Sequence, residues 1–222
     1  MTRFRYLTAG LMAGLLPLAA QALCTSDRVL QPHAVLERFI SADCERCWRD
    51  SATPRPGANT LVLDWIVPGQ TGDKAPLAAV ASTDAVERLQ FLQQSQPVKS
   101  SAFTASRGGT GVEMRLAQGE AFNDYIGASI ELAKPGGDEW WPWLLLVESL
   151  PTGTEGSPVA RNLVRNVFRP DWSKTAARPG RLAEMRAMQI HDGARPERLR
   201  LVAVLQDARG RIRAISQTEC SE

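Results

Sequence analysis

Cys44-Glu45-Arg46-Cys47 is the constellation in this 222-residue chain whose residue types and spacing could do covalent chemistry. Two cysteines separated by two residues can close a disulfide and reopen it, and the reactive form is the thiolate. Cys44, nearer the preceding apolar run, is the candidate nucleophile, and Cys47 would resolve a mixed disulfide. Arg46 favours the thiolate, whereas Asp43 and Glu45 oppose it, so local charge leaves the thiol pKa open. A helical turn beginning at Cys44 would add free backbone N–H groups and favour the thiolate. Asp64 is the candidate proton acceptor if it lies buried beneath the pair, where desolvation raises a carboxyl pKa. Its other reading is a solvated residue at a strand end. The other readings of the pair itself are a static disulfide and a reduced structural pair. Zinc-ligand spacing is also present, with His33 or His191 as additions, but a second close ligand pair is missing, so no metal is expected. No GxSxG, phosphate loop or dinucleotide fingerprint occurs, and no cofactor is expected.

The elements that must position these residues follow from apolar patterning. Val35, Leu36, Phe39 and Ile40 make a buried strand, and Ser41-Ala42-Asp43 turns the chain into the cysteines. Pro54, Pro56 and Gly57 limit any helix after Cys47 to about two turns, because proline in a helix interior costs roughly 3 kcal/mol. Thr60–Val67 reads as a second buried strand. Ser82–Gln94 is a helix, with Ser82, Thr83 and Asp84 as caps and Val86, Leu89 and Leu92 on one face. Val98–Ala105 and Val112–Leu116 read as strands, and Pro97 is the candidate for a cis-proline beside the cysteines. Beyond Gly119, Tyr125–Leu132 alternates, Trp140–Ser149 is strongly apolar, and Arg198–Gln206 with Arg211–Gln217 forms a hairpin around Asp207-Ala208-Arg209-Gly210. Strands at this spacing predict an antiparallel sandwich. In Ser157–Arg169 the residues Leu163, Val164, Val167 and Phe168 share a helical face, and Arg181–His191 is ambiguous. Trp140, Trp141 and Trp143 read either as core or as a sugar-binding or protein-binding surface.

Met1–Ala22 reads as a signal peptide: Arg3 and Arg5, an apolar run, and Ala20-Gln21-Ala22 as the cleavage site. Removing Arg3 and Arg5 leaves equal numbers of basic and acidic side chains, which argues against a nucleic-acid partner. The Arg-rich stretch Arg195–Arg213 alternates with apolar residues and suits the solvent side of strands. No segment is long enough to span a membrane. The expected location is periplasmic or secreted. Four cysteines in such a chain favour disulfides, and three pairings are possible. The simplest joins Cys44 to Cys47 and Cys24 to Cys220, the latter a structural disulfide tying the ends of the mature chain.

Taken together, these segments resemble a family of secreted bacterial thioredoxin-like proteins of unknown function. The residues that carry the likeness are Val35–Phe39 followed by Ser41-Ala42-Asp43-Cys44-Glu45-Arg46-Cys47, then Asp64-Trp65, Arg161–Pro170, and Ala194–Leu199 through Gln206-Asp207. The resemblance tilts Ser157–Arg169 towards strand. The chain departs from the family pattern where Trp48, rather than proline, follows the second cysteine, and in lacking the Thr-Pro step unless Pro97 fills it. The expected fold class is α+β: a shortened thioredoxin-like α/β unit over residues 23–118, then an antiparallel immunoglobulin-like β-sandwich over 119–222. The expected function is thiol–disulfide redox through Cys44 and Cys47 on an unknown protein partner or substrate thiols. The alternative is a non-catalytic secreted binding or assembly module in which the CxxC is a structural disulfide.

Overall fold

The computed structural model describes residues 24–109, 112–133, 139–172 and 181–220; the expected leader lies outside these described residues. Its strands are β1 (Cys24–Thr25), β2 (Ala34–Ser41), β3 (Thr60–Val67), β4 (Ser100–Ser106), β5 (Met114–Phe122), β6 (Tyr125–Ala133), β7 (Trp140–Leu150), β8 (Arg161–Phe168), β9 (Arg181–Gln189), β10 (Leu199–Asp207), β11 (Ile212–Gln217) and β12 (Glu219–Cys220). The helices are α1 (Glu45–Trp48) and α2 (Thr83–Phe91).

Two sheets result. One has the order β12-β1-β5-β6-β9, and the other β11-β10-β7-β8-β3-β2-β4. The smaller is antiparallel throughout. The larger is mixed, with β2, β3 and β8 parallel to one another at its centre. Alternation decides which residues meet. On one face of the larger sheet, Leu144 and Leu146 of β7 and Leu201, Ala203 and Leu205 of β10 pack against Leu116 of β5 and Ile130 of β6. On the other face, Leu63, Trp65, Trp143, Leu145 and Val204 pack beneath Ala85 and Leu89 of α2. The Ser82 hydroxyl caps α2 by accepting from the Asp84 N–H at 3.0 Å. Full burial of Leu89 contributes about 2–3 kcal/mol by area.

This overturns the expected thioredoxin-like α/β unit. Among the described residues the helices are one of four residues and one of nine, against twelve strands. α1 ends after a single turn at Trp48, short of the two turns that the prolines and glycine after Cys47 would allow. The sheet that begins at β2 and β3 continues through β8 and β7 into β10 and β11. The position expected to divide the chain, Gln118–Gly119, lies inside β5, and both sheets draw strands from either side of it.

Arg161–Phe168 is a strand, not the helix its periodicity suggests. Because β8 is covered on both faces, Leu163 packs on one side and Val164 on the other, so the apolar spacing loses its period of two. Arg181–Gln189 is likewise a strand. Of the tryptophans, Trp140 and Trp143 lie in the core, while Trp141 is 37% exposed and packs on Phe91. Among the described residues no helix is long and apolar enough to cross a membrane.

Candidate functional site

β2 delivers the cysteines. The Ala42 N–H donates to the Val67 carbonyl at 2.8 Å, so β2 and β3 are still joined where the turn begins. Asp43 then fixes the turn to the loop after β3. Its carboxylate accepts from the Gln70 N–H at 2.6 Å, the Thr71 N–H at 3.3 Å and the Thr71 hydroxyl. The Thr71 hydroxyl and these two N–H groups hold the Asp43 carboxyl below its ordinary pKa, against a smaller effect of burial. Gly69 permits the approach, because a Cβ there would lie 2.4 Å from Asp43 Cγ. The Cys44 N–H donates to Ser41 O, and the Cys47 N–H to Cys44 O, both at 2.9 Å.

Cys44 and Cys47 are joined by a disulfide, and both residues are partly exposed. Cys47 packs against the small core of Ile40, Trp48, Ile66 and Leu163. The four-residue α1 is too short to supply the dipole expected at Cys44. A cleft of about 260 Å³ lies beside α1, lined by Trp48, Leu77, Val80 and Leu163 among others.

Asp64 does not lie solvated at a strand end. It is fully buried, and its carboxylate is filled by Arg38 Nη2 at 2.7 Å, Arg161 Nη1 at 3.1 Å and the Asn162 N–H at 2.9 Å. Arg161 connects this centre to the cysteine turn. Its Nη2 donates to the Trp48 carbonyl at 2.7 Å, and its guanidinium lies 4.9 Å from the Trp48 ring centre. Burial lowers the Arg161 pKa, and Asp64 opposes that shift. The Trp48 indole N–H donates to the Glu155 carbonyl at 2.9 Å. Asp64 therefore positions α1 through Arg161.

Cys24 and Cys220 face each other across β1 and β12 and are joined by a disulfide. Pro97 is trans. It stands just before Lys99, whose carbonyl accepts from the Ser41 N–H at 2.8 Å. Among the described residues no group of three or more His, Cys, Asp or Glu side chains is placed to hold a metal, and His33 and His191 join no such group.

Among the described residues, Glu37 and Glu148 centre further buried ion pairs that escaped the sequence reading. Glu37 accepts from Arg88 at 2.6 and 2.9 Å and from the Trp65 indole at 3.1 Å, while Arg88 also reaches Gln206 at 2.7 Å. Glu148 pairs with Arg165 at 2.5 Å. A signal was present: Glu37-Arg38 interrupts an apolar strand, and Arg161, Leu163 and Arg165 share one face of β8.

No family model, no curated protein and no solved structure matches this chain.

Proposed function

We propose that Cys44 and Cys47 form a redox-active dithiol/disulfide pair in an exported protein, exchanging with the thiols of a protein substrate. The observation that carries this reading is the contrast between the two disulfides. Cys24–Cys220 closes a sequence separation of 196 residues and ties the chain ends, for a chain-entropy gain of about 5 kcal/mol. Cys44–Cys47 closes a separation of three residues, where the same relation gives only about 2 kcal/mol. It is partly exposed, and the turn that carries it is already fixed by Asp43 and Trp48. Two disulfides also fit an oxidising compartment outside the cytoplasm.

In the exchange, a substrate thiolate attacks Cys44 Sγ and the Cys47 thiolate leaves. A second substrate thiolate then attacks the substrate sulfur of the mixed disulfide and releases the Cys44 thiolate. Two electrons pass to the pair, the substrate becomes a disulfide, and the two protons lost by its thiols end on Cys44 and Cys47. The thiolate populations at ambient pH and the leaving-group thiol set the rate.

The test is the reduction potential of the pair, equilibrated against defined thiol buffers. A value of about −120 to −230 mV supports exchange with substrates. A value below about −300 mV assigns the pair as a staple and makes the protein a non-catalytic binding or assembly module.

A further inference from the structure

The larger sheet is open at one seam. β3 and β8 run parallel but pair only at Asp64 and Leu163, whereas β2 and β3 pair along eight residues. Towards the starts of β3 and β8 the strands part, and a cleft of about 820 Å³ opens between them. That volume lies within the usual range of small-molecule sites.

The charge in this cleft is unbalanced. Arg38, Arg55 and Arg200 line it, and no aspartate or glutamate does. Arg38 is 4% exposed, shares Asp64 with Arg161 and otherwise donates to the neutral carbonyls of Pro54 and Ala160, while Asp50 acts on Arg161 from further away. Arg200 is half-buried, and its recorded partners are neutral oxygens: Ser149 Oγ, and Asn162 Oδ1 at 2.9 Å. Among the described residues no carboxylate stands within ion-pair distance of it. The Nε atoms of both Arg38 and Arg200 are enclosed and have no hydrogen-bond partner among the described residues. The Arg213 Nε is likewise enclosed and unpartnered, but Arg213 and Arg211, from the same Arg-rich stretch, both pair with Asp207, whereas Arg200 has no carboxylate partner among the described residues. A half-buried cation with no direct ion pair, and only Glu219 acting on it from beyond pairing distance, is costly, and an oxyanion relieves that cost.

We propose that this cleft binds a small organic oxyanion, its carboxylate or phosphate held by Arg200 and Arg38 with Arg55 at the rim, and its apolar body against Val62 and Val159. The guanidinium fork suits either group, because both present paired oxygens. Burial lowers the Arg200 pKa, and Glu219 opposes that shift. The overall charge neutrality of the mature chain conceals this local excess. The site shares no residue with the Cys44–Cys47 turn, so the two proposals stand or fall separately.

The test is titration calorimetry of the oxidised protein with phenyl phosphate, phenylacetate and benzyl alcohol. The expected result is stoichiometric binding of at least one anion, weakened by added salt, with benzyl alcohol at least about tenfold weaker. Tighter binding of phenyl phosphate assigns a phosphate ester as the ligand class, and the reverse assigns a carboxylate. Arg200→Gln weakens the anion about tenfold or more. Arg55→Ala, at an exposed loop position, weakens it about threefold and provides the test if Arg200→Gln does not fold. The inference is overturned if neither anion binds saturably, if benzyl alcohol binds equally well, or if the folded variants bind as the parent does.

Discussion

Replacing Asp64 with asparagine keeps the side-chain shape and removes the only carboxylate recorded in ion-pair contact with Arg38 and Arg161 among the described residues. The amide retains one accepting oxygen and turns the other position into a donor facing a guanidinium. Each charge-assisted hydrogen bond contributes about 1.5–3 kcal/mol, and breaking a buried ion pair costs about 3–5 kcal/mol, because the remaining charge is left without a partner. With Asp64, Arg38 and Arg161 all buried, a loss of about 4 kcal/mol is expected, a large share of a net stability of about 5–15 kcal/mol. The assay is urea unfolding of the oxidised protein followed by tryptophan fluorescence. For a slope of about 2 kcal/mol per molar, the midpoint should fall by roughly 2 M. A fall of less than about 0.5 M would refute the assignment of Asp64 as the centre of a buried ion-pair triad. A second readout separates structure from chemistry. If Asp64 took a proton from the cysteines, Asp64→Asn would slow exchange with a small thiol under folded conditions. The geometry predicts an exchange rate equal to or faster than the parent, because freeing Arg161 loosens its hold on the Trp48 carbonyl.

Three further outcomes are expected. Gly69→Ala should push the Asp43 carboxylate away from Gln70 and Thr71 and return its pKa towards the ordinary carboxyl value; an unchanged NMR titration of Asp43 would contradict the close approach. The pair Cys24→Ser and Cys220→Ser should lose up to about 5 kcal/mol, and Cys44→Ser with Cys47→Ser about 2 kcal/mol or less; equal losses in denaturant midpoint would remove the distinction between tie and reactive pair. At Asp207, burial works to raise the carboxyl pKa, but hydrogen bonds from Arg211, Arg213 and the Arg209 N–H overcome it and bring it from 3.8 to about 2. The folded value lies below the unfolded one, so this stabilisation is complete above the ordinary carboxyl pKa and is lost as pH falls towards 2. It amounts to about 1–2 kcal/mol after allowing for the exposed Arg211. Asp207→Asn should flatten the acid limb of the stability profile measured by thermal unfolding, and an unchanged limb would show that the carboxylate contributes nothing there.

The sequence by itself determined the local elements. Thr60–Val67 is a strand because apolar residues fill both faces, and Ser82 starts α2 because its hydroxyl satisfies a free N–H. The prolines after Cys47 limit any helix there to about two turns, and α1 uses one of them. Cys44 and Cys47, three residues apart, needed no tertiary information to be singled out as a pair. Tertiary structure decided what these elements add up to. A strand between two others, such as β8, has neither face in water, so its pattern cannot distinguish it from a helix. The fate of Asp64 rests on Arg38 and Arg161, which lie 26 and 97 residues away in the chain. The Arg200 cleft exists only because β3 and β8 meet at one residue pair and then diverge, a matter of strand order and twist. Alternation along a strand records which face is apolar; it carries no information about which distant charge lies opposite.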